Sequence, residues 1–484
     1  MERLFGTDGI RGVANETLTP EMAFAVGRAA GTVLARGGTF VVGRDTRVSG
    51  PMLEAALVAA LCSVGARVVR VGIMPTPAVA YLVRAVGADA GVVVSASHNP
   101  VEDNGIKFLG RTGQKLPDAV EDEIERAIGE DGPRPVGTDV GVATDLVDAE
   151  ERYLRYLVSH ARRADGLRVV VDCGFGAAYR VAPQLWTLLG SEVIALNDDP
   201  HGTRINVGCG STSPEVVASA VRVHGADIGF THDGDADRVI AVDENGAVVD
   251  GDLIMTVCAR HLARQGVLQP RRIVATVMTN LGVERALRED GIEVDRAPVG
   301  DRYVLEQMLQ TGAVLGGEQS GHIIFRRLPV HGRPILPETD PPLTSHTPPR
   351  TPLVRGEVEA EDSSAWTEGL LTGDGLMTAV QLLNVVVQTG LPLSRLVENV
   401  RRYPQVLVNV RVGSKDTAMA DARVREAIAQ TERAIEGRGR LLVRPSGTEP
   451  VVRVMVEHED EDTARRLASD LAEQIASAVG PARP

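Results

Sequence analysis

The chain has 484 residues, of which 43% are apolar, and a formal net charge of -14 at pH 7. A chain of this length exceeds what one hydrophobic core ordinarily supports, so we expect several domains. The acidic balance argues against nucleic-acid and membrane partners, because both call for a broad basic face. No apolar run approaches the length of a membrane span and the first residues lack the blocks of a signal peptide, so we expect a cytoplasmic protein.

The cysteines indicate a reducing environment. Their wide spacing contains no paired Cys-x-x-Cys motif, so neither a zinc site nor a disulfide framework is expected. We expect free, mostly buried thiols at Cys62, Cys173, Cys209 and Cys258.

One pattern recurs three times along the chain: an apolar helical stretch, a glycine, a short strand, and a later apolar strand that ends in a polar loop. The glycine-strand openings are residues 65–69, 190–194 and 291–295. Three copies with similar neighbours favour repeated α/β units on parallel or mixed sheets.

The C-terminal part has a different pattern. Residues 406–412 alternate as a half-buried strand does, and residues 440–443 lead a second strand into a polar turn. We therefore expect a smaller α+β domain there. Residues 328–371 are rich in proline and lack helical or strand periodicity, which predicts a disordered surface insertion.

The first polar loop, Ser95-Ala96-Ser97-His98-Asn99-Pro100, follows the apolar strand of residues 92–94. A serine at a strand end is a candidate nucleophile when a cation such as Lys107 activates it. The alternative is an Asn-Pro turn with incidental serines, and for this string taken alone that alternative is favoured.

The second loop carries three carboxylates at alternate positions, Asp233, Asp235 and Asp237. Hard oxygen ligands packed this closely repel one another unless a divalent cation lies among them, and few carboxylates suit magnesium. A calcium EF-hand is a weaker interpretation, because its sixth position holds Arg238 instead of glycine and strands flank the loop. A solvated acidic turn is the remaining alternative.

The third and fourth loops are polar turns whose functional interpretation depends on the presence of the first two loops. Residues 316–322, Gly-Gly-Glu-Gln-Ser-Gly-His, offer glycines for close ligand approach and polar groups for sugar hydroxyls. Residues 444–450, Arg-Pro-Ser-Gly-Thr-Glu-Pro, collect donors that suit a phosphate dianion. Each is a common polar turn in isolation, but together the four loops predict a single cleft.

The motifs at residues 5–12, 95–100 and 317–322 resemble those of the α-D-phosphohexomutases, and the similarity runs end to end apart from the proline-rich stretch. Within that family it is strongest to bacterial members that act on glucosamine phosphates, and Gln319 supports this choice. The resemblance implies three related mixed-sheet α/β domains and a smaller α+β C-terminal domain around one central cleft. The expected domains are residues 1–157, 158–256, 257–398 with the insertion at 328–371, and 399–484.

The resemblance also implies roles for individual residues. The expected catalytic group is Ser97, Lys107, Arg11 and His322. The expected ligands of one Mg²⁺ are a phosphoserine oxygen of Ser97 with Asp233, Asp235 and Asp237. The expected substrate-binding residues are Arg238, Glu318, Ser320, Arg444, Ser446, Gly447, Thr448 and Arg453.

The implied activity is interconversion of glucosamine 6-phosphate and glucosamine 1-phosphate through a phosphoserine and a bound glucosamine 1,6-bisphosphate, which would feed amino-sugar nucleotide and cell-wall precursor synthesis. The partner is then a small hexosamine phosphate, and a homodimer is a further expectation. Alternatives are a phosphoglucomutase or phosphomannomutase, a non-catalytic sugar-phosphate sensor on the same scaffold, and a phosphatase using Ser97. Two segments depart from the family's sequence pattern: residues 172–176 and the proline-rich insertion at residues 328–371.

Overall fold

The structure, a computed structural model, describes residues 3–331, 366–446 and 451–479 except positions 7, 131 and 133. The chain forms two compact units. The first contains residues 1–250 and 320–394, and the second contains residues 251–319 and 395–484. The proline-rich prediction for residues 328–371 falls mostly outside the described residues, as do Gly447 and Thr448.

The first sheet has six strands in the spatial order β1-β5-β4-β2-β3-β6. The strand Ala90–Val94, in the middle of this sheet, is buried along its whole length, as expected for a strand covered on both faces. The strands are β1 (Ile10–Val13), β2 (Thr39–Arg44), β3 (Arg67–Ile73), β4 (Ala90–Val94), β5 (Asp103–Gly110) and β6 (Ala143–Asp145). The helices of this part are α1 (Pro20–Ala35), α2 (Gly50–Ser63), α3 (Thr76–Ala85), α4 (Asp118–Ala127) and α5 (Ala149–Ser159).

The second sheet has five strands in the order β11-β10-β9-β7-β8. Its strands are β7 (Arg168–Asp172), β8 (Glu192–Leu196), β9 (Ile228–His232), β10 (Val239–Asp243) and β11 (Val248–Val249), with helices α6 (Val181–Leu188) and α7 (Glu215–His224). The unusual string after β7 is held by Asp172, whose carboxylate accepts backbone N–H groups from Gly174 at 2.8 Å and Gly210 at 2.9 Å.

In the second unit, three parallel strands form a further sheet. They are β12 (Arg272–Thr276), β13 (Glu293–Ala297) and β14 (Leu315–Gly317), with helices α8 (Gly251–Arg264), α9 (Leu281–Glu289) and α10 (Asp301–Thr311). The order β14-β12-β13 repeats β4-β2-β3 and β9-β7-β8, and all these pairs are parallel. The predicted threefold repetition of an α/β unit is therefore confirmed.

The chain then returns to the first unit. This segment holds β15 (Ile323–Phe325), β16 (Arg327–Pro329), β17 (Trp366–Glu368) and α11 (Gly375–Thr389), and α12 (Leu393–Val397) follows at its end. Strands β16 and β17 pair in antiparallel fashion at the two ends of the proline-rich stretch of residues 328–371, so these described ends form strands that the sequence did not predict. The two ends of that stretch are thus joined directly.

The C-terminal part forms an antiparallel sheet in the order β18-β20-β19. Its elements are β18 (Gln405–Arg411), α13 (Lys415–Ala420), α14 (Ala422–Ile435), β19 (Gly439–Pro445), β20 (Val451–His458) and α15 (Glu461–Val479). Apolar side chains of α14 and α15 pack on β18 and β20. This is the smaller α+β domain that the sequence predicted.

Candidate active site

Ser97 lies just beyond the end of β4 in a constrained backbone conformation. Its φ is +51°, which is unfavourable for a residue with a side chain and costs on the order of 1 kcal/mol or more. The side chain is buried, and Oγ donates to Asp233 Oδ2 at 2.5 Å. The predicted nucleophile and the first predicted metal ligand are therefore in direct contact.

Arg47 holds this strained loop in place. Its guanidinium is fully buried and its Nε donates to Asp45 Oδ2 at 3.0 Å. Its terminal nitrogens donate to the carbonyl oxygens of Ser97 at 3.0 Å, Asn99 at 2.8 Å and Asp103 at 2.9 Å, and also to that of Pro100. One buried cation thus fixes the backbone at the serine and in the residues that follow it.

The loop also receives support from the second sheet. Asn206 Nδ2 donates to the Ser97 carbonyl at 2.9 Å. A Cβ on Gly234 would lie 2.6 Å from the same oxygen, so only glycine permits this approach between the serine loop and the aspartate loop.

The three aspartates lie in the turn between β9 and β10, which pair in antiparallel fashion. The EF-hand alternative is excluded, because a hairpin and not two helices flanks the loop. All three side chains are buried, and one carboxylate oxygen from each lies within 4.8 Å of the other two.

The donor set fits a divalent cation. The Oδ1 atoms of Asp235 and Asp237 are buried and have no hydrogen-bond partner among the described residues. Burial and the negative charges of Asp237 and Asp235 raise the pKa of Asp233 well above its ordinary value. A hard cation would satisfy the orphaned oxygens and offset the mutual repulsion, and oxygen ligands of this kind suit magnesium.

Lys107 provides a fixed positive charge beside the aspartates. Its Nζ lies 3.1 Å from Asp235 Oδ2 and 3.0 Å from Asp8 Oδ2, and its side chain is buried. Although burial opposes the charged form, these two carboxylates raise the pKa of Lys107 above its ordinary value. The lysine is therefore protonated at neutral pH. Thr76 Oγ1 donates to the same oxygen of Asp235 at 2.6 Å.

Asp8 gathers three cations at the edge of the site. Arg11 and Lys115 both pair with it, in addition to Lys107, and Arg11 also donates to Asn99 Oδ1 at 2.8 Å. Burial opposes ionisation, but the three cations lower the pKa of Asp8 well below its ordinary value. The structure therefore brings Arg11 into the site and adds two residues that sequence reasoning missed, Asp8 and Lys115.

His322 reaches Asp237 from the segment that follows β14. Its Nδ1 lies 3.5 Å from Asp237 Oδ2, and its Nε2 accepts the backbone N–H of Gly373 at 3.0 Å. Arg238 also lies beside Asp237, with Nε 3.7 Å from Oδ1. The Ser320 hydroxyl oxygen is buried and has no hydrogen-bond partner among the described residues, so it retains its capacity for a ligand.

The remaining predicted residues belong to the second unit. Glu318 Oε1 accepts the backbone N–H of Gly300 at 3.0 Å. Arg444 and Arg453 are cross-strand partners on β19 and β20, and burial together with the charge of Arg453 lowers the pKa of Arg444. The carbonyl of Ser446 accepts from Lys415 Nζ at 2.6 Å.

Comparison with known proteins decides the family. The chain matches the four phosphoglucomutase/phosphomannomutase domains: α/β/α domain I at residues 2–134, domain II at 151–246, domain III at 250–332 and the C-terminal domain at 407–474. The chain belongs to the phosphoglucomutase/phosphomannomutase family. The predicted family and fold class are thus confirmed.

Among curated members of this family, phosphoglucosamine mutase from Moorella thermoacetica is 52% identical over 99% of this chain and 100% of its own length. Phosphoglucosamine mutase from Desulforudis audaxviator is 50% identical over 98% of both chains. A solved structure of a phosphoglucomutase/phosphomannomutase family protein from Burkholderia thailandensis superposes with a TM-score of 0.76 at 26% identity, covering 100% of this chain and 99% of that one.

Family membership leaves some expectations untested. The individual residue roles, the domain boundaries and the homodimer stay predictions. None of the helices in the described part of the chain combines the length and apolar character that a membrane span needs.

Proposed function

We propose that the chain interconverts glucosamine 6-phosphate and glucosamine 1-phosphate, with Ser97 carrying the transferred phosphoryl group. The observation that carries the proposal is the buried contact of Ser97 Oγ with Asp233, inside a cluster of three carboxylates. The choice of glucosamine rests on relatives named phosphoglucosamine mutase that match the whole chain.

The reaction has two mirrored transfers. In the first, the P–O bond to Ser97 breaks and a new P–O bond forms to the free hydroxyl of glucosamine 6-phosphate. That hydroxyl loses its proton and the Ser97 oxygen regains one, which gives glucosamine 1,6-bisphosphate. The bisphosphate turns around, Ser97 takes back the phosphoryl group from position 6, and glucosamine 1-phosphate leaves.

Asp233, Asp235 and Asp237, with an oxygen of phosphorylated Ser97, would hold one Mg²⁺. When bound, the cation would neutralise negative charge on the transferred phosphoryl group. The protein adds Lys107, which is protonated at neutral pH and held between Asp235 and Asp8. These groups are in place before substrate binds, so little reorganisation is needed during transfer.

Proton transfer and substrate binding use further residues around this centre. We assign assistance of proton transfer to Lys107 and His322, and charge stabilisation to Arg11. We assign recognition of the sugar hydroxyls to Glu318 and Ser320, and substrate binding beside the cation site to Arg238. The non-reacting phosphate is assigned to Arg444, Ser446, Gly447, Thr448 and Arg453, because a guanidinium fork can donate to phosphate oxygens at either end of the sugar.

Substitution of the nucleophile tests the proposal. Ser97→Ala is expected to abolish turnover of glucosamine 6-phosphate, measured in a coupled assay with added 1,6-bisphosphate, while the far-ultraviolet circular dichroism stays unchanged. Ser63→Ala serves as control, because Ser63 lies at the end of α2 and its hydroxyl only donates to the carbonyl of Ala60. Wild-type mutase rates in Ser97→Ala would remove the phosphoserine role.

The same assay tests the substrate. We expect a higher kcat/KM for glucosamine 6-phosphate than for the glucose and mannose analogues, and a preference for a neutral sugar would overturn the glucosamine assignment. Formation of free phosphate in place of a sugar 1-phosphate would indicate a phosphatase. The proposed cytoplasmic location and homodimer are checked by cell fractionation and by light scattering.

A further inference from the structure

The segment of residues 372–375, just before α11, lies directly against two parts of the active site. The backbone N–H of Gly373 donates to His322 Nε2, and that of Gly375 donates to the carbonyl of Ala236 at 3.1 Å. Both contacts depend on glycine. A Cβ on Gly373 would lie 2.4 Å from His322 Nε2, and one on Gly375 would lie 2.3 Å from the carbonyl oxygen of Arg238.

Asp374, between these two glycines, is itself fixed from two directions. Its Oδ1 accepts the backbone N–H of Met377 at 2.9 Å, which caps the first turn of α11. The hydroxyl of Tyr153, on α5, lies 2.9 Å from both carboxylate oxygens. Both side chains are buried. The segment therefore has one defined position relative to the metal-binding loop.

When the His322 ring is neutral, this arrangement determines which of its two nitrogens carries the proton. Because Nε2 accepts a hydrogen bond from Gly373, it has no proton, and the proton lies on Nδ1. The Nδ1–H faces Asp237 Oδ2 at 3.5 Å. A histidine held in this way orients the carboxylate beside it and leaves the other oxygen, Oδ1, for the cation.

We propose that Tyr153, Asp374 and Gly373 are positioning residues that keep His322 in the tautomer donating to Asp237, and that they thereby set the affinity of the three-aspartate site for a divalent cation. The inference deepens the proposed function, since it concerns the cation that the proposed reaction uses. None of the three residues contacts the reacting atoms. Their effect passes through the imidazole ring and the Asp237 carboxylate.

Direct cation binding and the imidazole tautomer test the proposal without any substrate. Mn²⁺ binding is measured by electron paramagnetic resonance on the full chain. Gly373→Ala is expected to weaken Mn²⁺ binding about 10- to 100-fold, because the added Cβ displaces the ring, and Tyr153→Phe is expected to weaken it by a smaller factor. Tyr81→Phe is the matched control.

Tyr81 belongs to the same aromatic cluster, with its ring centroid 6.2 Å from that of Tyr153, but its hydroxyl has no hydrogen-bond partner among the described residues. Tyr81→Phe should therefore bind Mn²⁺ as the wild type does. If Tyr81→Phe and Tyr153→Phe weakened Mn²⁺ binding equally, the loss would come from disturbed packing of the aromatic cluster, and the proposal would be overturned.

The tautomer gives an independent signature. Long-range ¹H–¹⁵N spectra, recorded at alkaline pH and assigned with His322→Gln, should show a protonated Nδ1 and an unprotonated Nε2 in the wild type and in Tyr81→Phe. The Gly373→Ala spectrum should show loss of this single tautomer. A proton on Nε2 in the wild type, or wild-type Mn²⁺ affinity in a folded Gly373→Ala, would contradict the inference.

The outcome is separable from that of the proposed function. Both readouts are equilibrium properties of the chain and its cation, so they do not depend on phosphoryl transfer to a sugar. Active Ser97→Ala would remove the proposed reaction and leave the tautomer and Mn²⁺ results standing. Conversely, wild-type Mn²⁺ affinity in Gly373→Ala and Tyr153→Phe would refute only the positioning role.

Discussion

The serine loop and strands β19 and β20, which carry the proposed phosphate-binding arginines, differ in how far the protein itself satisfies their polar groups. Around Ser97, the buried Arg47 and the half-buried Asn206 donate to the loop carbonyls, and Asp233 accepts from the hydroxyl. On β19, the half-buried Arg444 has no hydrogen-bond or ion-pair partner in the described part of the chain. The reacting group is thus pre-organised, whereas the arginine keeps its donors for a ligand.

This contrast makes different predictions for substitutions in the two regions. Changes in the pre-organised region should lower kcat or the stability of the fold. Substitution of Arg444 should raise KM and leave the fold intact.

Asp235→Asn should have the largest effect on the rate. It removes a negative charge from the proposed cation site and weakens the ion pair with Lys107. We expect kcat to fall at least about 100-fold, with a higher Mg²⁺ concentration for half-maximal activity. Glu215→Gln, at an exposed acid of the same sheet's helix α7, is the control. An unchanged Mg²⁺ titration curve in Asp235→Asn would remove the metal assignment.

Arg47→Met should chiefly affect stability. Removing the buried cation leaves the Asp45 carboxylate without its paired charge and takes one donor from several loop carbonyls, which costs roughly 3–5 kcal/mol of unfolding free energy. Urea denaturation measures the loss, and kcat should fall with it.

Arg70→Met provides the comparison for this substitution. Arg70 pairs with Asp145 on the surface, where the two side chains are 42% and 62% exposed, so its loss should cost less than about 1 kcal/mol. If both variants lost the same stability, Arg47 would not have the special role assigned to it.

Arg444→Met should act on binding. Loss of a charged hydrogen bond to phosphate costs about 1.5–3 kcal/mol of binding free energy. The KM for glucosamine 6-phosphate should therefore rise roughly 10- to 100-fold, while kcat changes little. Arg411→Met, at an exposed arginine of β18 in the same sheet, is expected to leave KM unchanged. A fall in kcat alone for Arg444→Met would contradict a binding role. Arg444 would then affect the rate as the serine loop does, and the predicted difference between the two regions would be wrong.

The smallest effect is expected for the proline-rich insertion. Strands β16 and β17 pair through Pro329 and Trp366, so the chain ends that flank residues 332–364 are already neighbours. Replacing those residues by a short glycine-containing turn should leave kcat/KM within about twofold, because closing a short loop there costs little. A large loss of activity would give the insertion a functional role.

The sequence predicted the parts of the site that lie at strand ends. Ser97 follows a wholly apolar strand and the aspartates follow a strand that begins with apolar residues, so both loops were recognisable. The EF-hand alternative was excluded by the flanking strands, as the sequence had indicated. The threefold repeat was likewise visible in the glycine-strand openings. Gly447 and Thr448 fall outside the described residues, so their predicted role stays a prediction.

The supporting residues were not predictable from spacing. Arg47 acts on the serine loop because β2 lies beside β4 in the sheet, and a charged string after β2 does not reveal that adjacency. Tyr153 and Asp374 are 221 residues apart in the chain. Asp8 stood within a recognised motif, but only its position between Lys107 and Lys115 shows what it does.

Single-turnover transfer from the phosphorylated enzyme tests the central claim most directly. Phosphorylated enzyme is mixed with less than one equivalent of glucosamine 6-phosphate, and the intact protein mass and the sugar phosphates are followed together. We predict that the protein loses one phosphoryl group from Ser97 as glucosamine 1,6-bisphosphate forms, and then regains it as glucosamine 1-phosphate appears. Formation of glucosamine 1-phosphate while an isotopically labelled phosphoryl group stays on Ser97 would contradict the account.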